Sequence, residues 1–244
     1  MTWLCGIFAL LIGLAVYHFN RARTLFGIRI VSTRTSSDNV PETRHKYVDD
    51  NEKLASLLRE SNKHVTVFIS IDVHAWELDR TKITDIGMSA WYSGGNDDNV
   101  VLSRHWQIEE NKLLKDRYML NDPDIFTFGK TELISESQIA QKIDYIFESL
   151  GAGCQRTVIV GHGIRSTLDL LEKFWEPPGS EVIILDTQII WQLQNHQSNK
   201  VTLETALISA SDLSYNVHFL HNTGNNARFI LNLLQEQGAM SKRF

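Results

Sequence analysis

The sequence predicts an α/β fold in which three strands come first and helices then alternate with strands. Three observations favour this class. Residues 65–73 (VTVFISIDV) form an apolar run rich in β-branched residues, which is typical of a central strand. Two further apolar runs flank the turn sequence GGNDD at 94–98, which predicts a hairpin. Beyond residue 135, apolar residues at helical spacing alternate with short apolar runs, the pattern of alternating helices and strands.

The individual elements are predicted in chain order from the same patterns. A helix at 52–60, capped by Asp49 or Asp50, carries its leucines on one face, and a helix at 135–150 carries isoleucines at helical spacing. The predicted strands are 65–73, 84–91, 100–108, 156–160 and 182–185. The later predicted helices are 168–174, 187–194, 203–210 and 226–237.

Size and composition limit what the protein can be. A chain of 244 residues has room for one domain of about 180–200 residues and an appendage. Its 43% of hydrophobic residues can build a core, which excludes wholesale disorder. The two cysteines, Cys5 and Cys154, exclude a disulfide framework and a cysteine-based zinc site. Residues 38–244 hold 20 basic and 29 acidic residues, a net charge of −9 that argues against a general nucleic-acid binder.

The first 48 residues differ in composition from the rest. Residues 3–19 are apolar apart from His18, and arginines follow them. We interpret 1–31 as a single-pass transmembrane anchor with a basic flank, 32–48 as a polar linker, and 49–244 as the globular domain. The positive-inside rule then places the domain in the cytosol, attached to a membrane through 3–19. A cleaved signal peptide, a mitochondrial presequence and a buried N-terminal helix are the alternatives.

Four segments carry residue patterns that go beyond secondary structure. The first strand ends in Asp72-Val73-His74, where residues two apart face the same side, and an Asp-Ile-Gly follows at 85–87. The other three segments are VGHGIRSTLDLL at 160–171, ILDTQ at 184–188 and LHNTGNNA at 220–227. Together they resemble the DEDDh family of 3′–5′ exonucleases, and within it the fungal exonuclease-like domain of the "good for full DEAD-box activity" proteins. The resemblance covers about residues 64–237. It implies a ribonuclease-H-like α/β fold, a mixed sheet with three antiparallel strands and flanking helices.

The resemblance also implies a reaction. In the family, four carboxylates hold two divalent ions that activate a water and stabilise the leaving oxygen, while a histidine handles the proton. Asp72 matches the first aspartate and His221 the histidine. At the other matched positions, His74 replaces a glutamate, and Thr167 and Asn226 replace aspartates. None of these three replacements brings a negative charge, so the resemblance implies a degenerate centre in which Asp72 is the remaining candidate metal ligand.

Other residues offer different interpretations of the same segments. Glu77 lies three residues after His74, beyond the expected end of the strand. Asp169 fits a metal-ligand position only if the preceding turn carries two extra residues, and Asp186 is expected to cap the next helix. A set suited to zinc or iron is an alternative to the two-metal centre. Its members are Asp72, His74, His162 and His221.

The sequence thus predicts a membrane-anchored, exonuclease-like protein that is catalytically inactive and serves as a nucleic-acid-binding or scaffold domain. We expect no cofactor. Single-stranded RNA or DNA is the expected partner, bound weakly. Four tryptophans offer rings on which bases can stack, although tryptophans more often belong to the core or its edge, namely Trp76, Trp91, Trp106 and Trp175. Two alternatives remain open: an active 3′–5′ exonuclease that uses Mg²⁺ or Mn²⁺ with altered ligands, and a protein-interaction module that binds no nucleic acid.

Overall fold

The structure, a computed structural model, describes residues 43–93, 100–116, 123–179, 182–210 and 215–241. The strands are β1 Thr66–Ala75, β2 Ile83–Ser93, β3 Val100–Ile108, β4 Thr131–Ile134, β5 Arg156–Gly161 and β6 Ile183–Asp186. The α-helices are α1 Thr43–Arg59, α2 Ile139–Gly151, α3 Ile164–Leu171, α4 Thr187–Gln194, α5 Leu203–Ser209 and α6 Thr223–Ser241. Short 3₁₀ helices lie at Glu109–Asn111, Pro123–Ile125, Glu136–Gln138 and Val217–Phe219.

The six strands form one mixed sheet in the order β4-β3-β2-β1-β5-β6. The first three strands pair antiparallel, β5 and β6 continue from β1 in parallel, and β4 runs parallel to β3. The predicted mixed sheet with three antiparallel strands and flanking helices is therefore confirmed. The sequence analysis missed β4 because this strand has only four residues, too few for an alternating pattern to be recognised.

Alternate residues of β1 face two different layers of helices. On one side, Val67, Ile69 and Ile71 pack with apolar residues of α2 and α3. On the other side, Phe68 packs with apolar residues of α1, α4 and α6. Asp72 lies an even number of residues from Phe68, and it is hydrogen-bonded to a residue of α6. The polar residues at the end of β1 therefore lie on the α6 side of the sheet.

The first turns of α6 lie close against the sheet because small residues lie beneath them. A Cβ added at Gly87 of β2 would lie 1.9 Å from the carbonyl oxygen of Thr223, so only glycine fits at this crossing. On the neighbouring strand, the Ser70 hydroxyl donates to the Ala227 carbonyl oxygen at 2.6 Å. This close approach brings the N-terminal turns of α6 over the ends of β1 and β2.

Three helices begin earlier than the sequence analysis predicted, and the last of them, α6, begins at Thr223 and not at 226. The first, α1, begins at Thr43, inside the segment 32–48 that was predicted as a linker. Polar composition did not prevent a helix there, because most polar residues have helix propensities within about 0.7 kcal/mol of alanine. The second, α3, begins at Ile164, whose N–H is accepted by the Asp186 carboxylate at 3.1 Å. The capping carboxylate belongs to Asp186 at the end of β6, so the sequence around α3 does not reveal it.

The predicted single-pass membrane location is wrong. Within the described ranges, no helix is both long enough and apolar enough to cross a bilayer. The segment on which the prediction rested, 3–19, and its basic flank to residue 31 lie outside those ranges.

Candidate functional site

Asp72 and Asn226 form the centre of the candidate site. Asp72 lies half-buried near the end of β1, and Asn226 lies in the first turns of α6. The Asn226 side-chain nitrogen Nδ2 donates to Asp72 Oδ2 at 2.9 Å. Burial raises the pKa of Asp72, although the hydrogen bond from Asn226 acts in the opposite sense. The amide therefore turns a hydrogen-bond donor, and not its carbonyl oxygen, toward the carboxylate.

His74, two residues further along β1, lies among carboxylates. Its Nε2 is 3.0 Å from Asp116 Oδ2, a hydrogen-bond distance, and its Nδ1 is 3.8 Å from Asp85 Oδ2, which is an ion-pair distance only. Burial lowers the pKa of His74, but the carboxylates of Asp85, Asp116 and Asp72 outweigh this effect and hold the pKa above its usual range. These carboxylates thus favour the protonated form more than in an ordinary histidine, and when protonated the ring has no lone pair with which to bind a metal.

Asp85 on β2 links His74 to a second histidine. His105 on β3 is 2% exposed, and it places Nε2 3.5 Å from Asp85 Oδ1 and Nδ1 2.8 Å from Thr131 Oγ1. Burial alone raises the pKa of Asp85, but interactions with His105, His74 and Thr84 outweigh it and lower the pKa to about 2. The buried carboxylate therefore stays ionised, and two imidazoles lie beside it.

The sequence analysis assigned no role in the site to Asp85, Asp116 or His105. The register of the predicted hairpin could have indicated that Asp85 lies beside His74, because β1 and β2 pair these two residues directly. His105 reaches the group because β2 and β3 pair it with Gly87. Asp116 lies in the loop after β3, where no local pattern relates it to β1. Long-range pairing therefore completes the site.

Two other candidate residues lie on α3. Thr167 is buried there, and in the part of the chain that the structure describes no hydrogen bond joins its side chain to Asp72 or Asn226. Asp169 is exposed. Glu77 has an exposed side chain beyond the end of β1, and its backbone N–H donates to Asp116 Oδ1 at 2.8 Å. Hydrogen bonds and ion pairs thus link Asp72 to Asn226 and His74 to Asp116, whereas Thr167 is not hydrogen-bonded to Asp72 or Asn226 within the described residues.

Most of the fourth segment, LHNTGNNA, holds α6 in position. Asn222 accepts the Asn225 N–H at 3.1 Å and so caps the helix. The buried Asn225 side chain bonds to the backbone of segment 125–127 as both donor and acceptor. His221 is exposed and adopts a left-handed backbone (φ 75°), which histidine tolerates better than most residues. The match in this segment is mainly structural, and Asn226 is the residue that reaches the candidate site.

Asp186 and His162 also have structural roles. The Asp186 carboxylate accepts the Gln188 N–H at 2.9 Å, which confirms it as the cap of α4, and it accepts two further N–H groups at the start of α3. His162 uses both ring nitrogens, with Nδ1 3.0 Å from Thr187 Oγ1 and Nε2 2.9 Å from the Val201 carbonyl oxygen. Burial lowers the pKa of His162. A zinc or iron set that includes His162 would require these contacts to break.

Three of the four tryptophans considered for base stacking belong to the core, the alternative that the sequence analysis also gave. Trp91, Trp106 and Trp175 are at most 5% exposed, so bases cannot reach their rings. Tryptophan is more often a core residue because its ring buries a large apolar area. Trp76 lies beyond β1, is partly exposed, and donates Nε1 to the Lys115 carbonyl oxygen at 3.3 Å.

The polar groups beside Asp72 decide whether two divalent ions fit there. Within the described ranges, no three His, Cys, Asp or Glu side chains are grouped so that they could hold a metal ion. The neighbours of Asp72 are an imidazole favoured as a cation and an amide N–H, both hydrogen-bond donors, whereas hard divalent ions require oxygen ligands. The residues in this arrangement do not fit a pair of divalent ions. We refer to the group as the remnant site, composed of Asp72, His74, Asp85, Asp116 and Asn226.

The fold and the four segments agree with one protein family. Residues 67–236 match the family described as "DNA polymerase III subunit epsilon-like, C-terminal domain", of the DEDDh class. The match covers more than half of the chain, which therefore belongs to this family of exonuclease-like domains. The resemblance drawn from the sequence segments is confirmed at this level.

Comparison with individual proteins finds remote relatives. An uncharacterised nucleolar protein of Schizosaccharomyces pombe is 24% identical over 177 residues, which cover 69% of this chain and 68% of that protein. Among solved structures, the RNase domain of the yeast Pop2 protein is 14% identical with a TM-score of 0.44, covering 82% of this chain and 84% of that one. A second solved structure, of a 3′-exonuclease that recognises the 3′ end of a histone mRNA stem-loop, is 11% identical with a TM-score of 0.46. The match covers 82% of this chain and 76% of that one.

Proposed function

We propose that this exonuclease-family domain does not carry out two-metal hydrolysis and that it acts by binding single-stranded RNA or DNA. One observation carries the first part of the proposal. His74 stands on β1 at the position matched to the family's glutamate, with its ring nitrogen 3.0 Å from Asp116 and its protonated form favoured. When protonated, this imidazole carries a positive charge that repels the divalent ions that the reaction requires.

The charge balance supports the same proposal. Two divalent ions carry four positive charges, which the family neutralises with carboxylates. At the matched positions this chain has one carboxylate, Asp72, and its raised pKa disfavours the ionised form. The additional carboxylates of Asp85 and Asp116 lie against His74. Because metals usually supply much of the electrostatic stabilisation in such reactions, this arrangement predicts little hydrolysis.

The second part of the proposal concerns the ligand. A family named for a subunit of a DNA polymerase supports a nucleic acid as the ligand class. The net charge of −5 for the whole chain predicts low affinity, because an excess of negative charge repels the phosphate backbone. The same acidic balance favours the protein-interaction module as the competing function.

A nuclease assay with the full-length protein tests the first part. Labelled single-stranded RNA and DNA are incubated with the protein in Mg²⁺ or Mn²⁺, and we expect no shortening above the rate in EDTA. Metal-dependent shortening that Asp72→Ala abolishes would contradict the proposal and establish an active exonuclease with altered ligands. Fluorescence anisotropy at low salt tests the second part with the same oligonucleotides. A lack of binding there would favour the protein-interaction module.

A further inference from the structure

The segment 109–116, which follows β3, is anchored firmly at its start. Its first residues form a 3₁₀ helix that ends at Asn111, a buried residue only 3% exposed. The Asn111 side-chain nitrogen Nδ2 donates to the Ile83 carbonyl oxygen and to Glu136 Oε1, both at 2.8 Å. These bonds hold the start of the segment to β2 and to the turn that leads into α2.

The other end of the segment is inserted into the remnant site. The Asp116 side chain is 4% exposed, and its two carboxylate oxygens have different partners. Oδ2 lies 3.0 Å from His74 Nε2, and Oδ1 accepts the Glu77 N–H at 2.8 Å. Just before it, the Lys115 carbonyl oxygen accepts the Trp76 indole N–H at 3.3 Å. Three contacts therefore tie this end to the last residues of β1 and the turn that follows.

The middle of the segment contributes little to the core. Lys112 and Leu113 are exposed, and Leu113 leaves 84% of its surface in solvent. Local opening is easiest where few apolar groups are buried. The position of the segment therefore depends on the contacts at Asn111 and at Lys115 and Asp116, and the latter two residues are held by the three polar contacts given above.

We propose that segment 109–116 is an intramolecular strap, and that Asp116 closes the remnant site by taking the place on His74 that a phosphate of a single-stranded nucleic acid would occupy. A carboxylate and a phosphodiester both present anionic oxygens to an imidazole N–H, so they compete for one side of the ring. This proposal rests on the proposed nucleic-acid-binding function, and it adds a way in which binding of the nucleic acid is regulated. Release of Asp116 opens His74 and the edge of Trp76 to the ligand.

Two variants of the full-length protein distinguish the effect of the Asp116 charge from the effect of its size and hydrogen bonds. Asp116→Asn keeps the size and an acceptor oxygen for Glu77, while Asp116→Ala removes both contacts. Hydrogen exchange reports opening through two amides whose bonds do not involve Asp116. One is the backbone N–H of Trp76, which donates to the Lys82 carbonyl oxygen at 2.9 Å. The other is the backbone N–H of Leu114, which donates to the Asn111 carbonyl oxygen at 2.9 Å. Fluorescence anisotropy with a 5′-labelled oligouridylate reports access of the ligand.

We expect both amides to exchange about threefold faster in Asp116→Asn, and faster still in Asp116→Ala, because opening requires fewer contacts to break. The oligouridylate should bind about fivefold more tightly to both variants, as a competing anion is gone. Glu109→Gln is the matched control. It removes one negative charge from the same segment, but Glu109 is exposed and lies 3.9 Å from Lys112, outside the remnant site.

Faster exchange and tighter binding in the Asp116 variants, without either change in Glu109→Gln, would support the strap. Unchanged exchange in both Asp116 variants would overturn it, and so would binding no tighter than that of the control. Degradation of the oligouridylate by the wild-type protein in Mg²⁺ would instead overturn the proposed function. The exchange measurement needs no nucleic acid, so it still decides whether Asp116 holds the strap in place.

Discussion

At the scale of single residues, His74 determines the character of the remnant site. A carboxylate at this position would lie beside Asp85 and Asp116, and three negative charges would then require a cation from solution. The imidazole lies 3.0 Å from one of these carboxylates and 3.8 Å from the other, and its protonated form is favoured. The imidazole therefore reduces the repulsion between these carboxylates, which is the physical reason for expecting a site that is stable without metal.

The triple variant His74→Glu, Thr167→Asp, Asn226→Asp tests this expectation. In EDTA we expect a lower Tm than for the wild type, because the new carboxylate at position 74 faces Asp85 and Asp116 without a cation. Adding Mn²⁺ should raise the Tm by roughly 5 °C, since a ligand that binds only the folded state stabilises it. Thermal unfolding with and without Mn²⁺ measures both effects.

His74→Gln is the control for the triple variant. It removes the cation without adding a carboxylate, and its Tm should not respond to Mn²⁺. A triple variant that folds but shows no response to Mn²⁺ would mean that a position was assigned wrongly. Thr167 would then be the first to re-examine, because it is buried in α3 and makes no hydrogen bond to Asp72 or Asn226 within the described residues.

At the scale of elements, the position of α6 determines which residues meet in the remnant site. The helix carries Asn226, which must approach β1 closely enough for a 2.9 Å hydrogen bond to Asp72. Gly87 on β2 permits this approach, since any side chain there would collide with the backbone of Thr223. One glycine on a strand therefore controls the position of a helix more than 130 residues later in the chain.

Gly87→Ala should destabilise the fold by about 1–3 kcal/mol or more, because the added Cβ meets rigid backbone and not the flexible end of a side chain. The free energy of unfolding in urea measures the loss. Gly151→Ala at the end of α2 is a suitable control, since a Cβ there makes an ordinary contact 3.4 Å from Thr157. Its free energy of unfolding should stay within about 0.5 kcal/mol of the wild type. Equal effects of the two substitutions would contradict the proposed role of Gly87.

At the scale of the whole molecule, an exonuclease-type sheet is combined with an acidic chain. The mixed sheet is covered by helices on both sides, and the remnant site lies at the end of β1 beneath α6. Outside the first 37 residues the net charge is −9, while those 37 residues contain four arginines and no acid. Any attraction to a phosphate backbone must therefore come from a small number of local contacts.

The salt dependence of binding tests this view of the molecule. If the remnant site and its surroundings neutralise only about two phosphates, the slope of log K against log salt should be near −1.4 for a single strand. Anisotropy titrations between about 50 and 200 mM salt measure the slope. A control in which the four arginines of residues 1–37 are changed to glutamine should keep the same slope. A slope that falls to zero in this control would place binding in the N-terminal segment.

Local patterns in the sequence were sufficient for most of the fold. The helix predicted at 187–194 and the strand predicted at 100–108 have the limits that the structure shows, because each has a complete hydrophobic period. The strand Thr131–Ile134 was missed because it is short, and α1 was shortened because a polar segment was taken as a linker. Both errors arise where periodicity is weak and pairing or packing decides the conformation.

The sequence alone identified the family, because residue types at fixed spacing carry that signal. It also predicted that Asp72 is retained and that His74 and Asn226 are replacements. Only the tertiary structure decided what surrounds these residues. Asp116 comes from a loop and His105 from a neighbouring strand, so their approach depends on strand register and loop path, which local spacing does not encode. These contacts place an imidazole between two carboxylates in the position that the sequence analysis described only as the loss of a metal ligand.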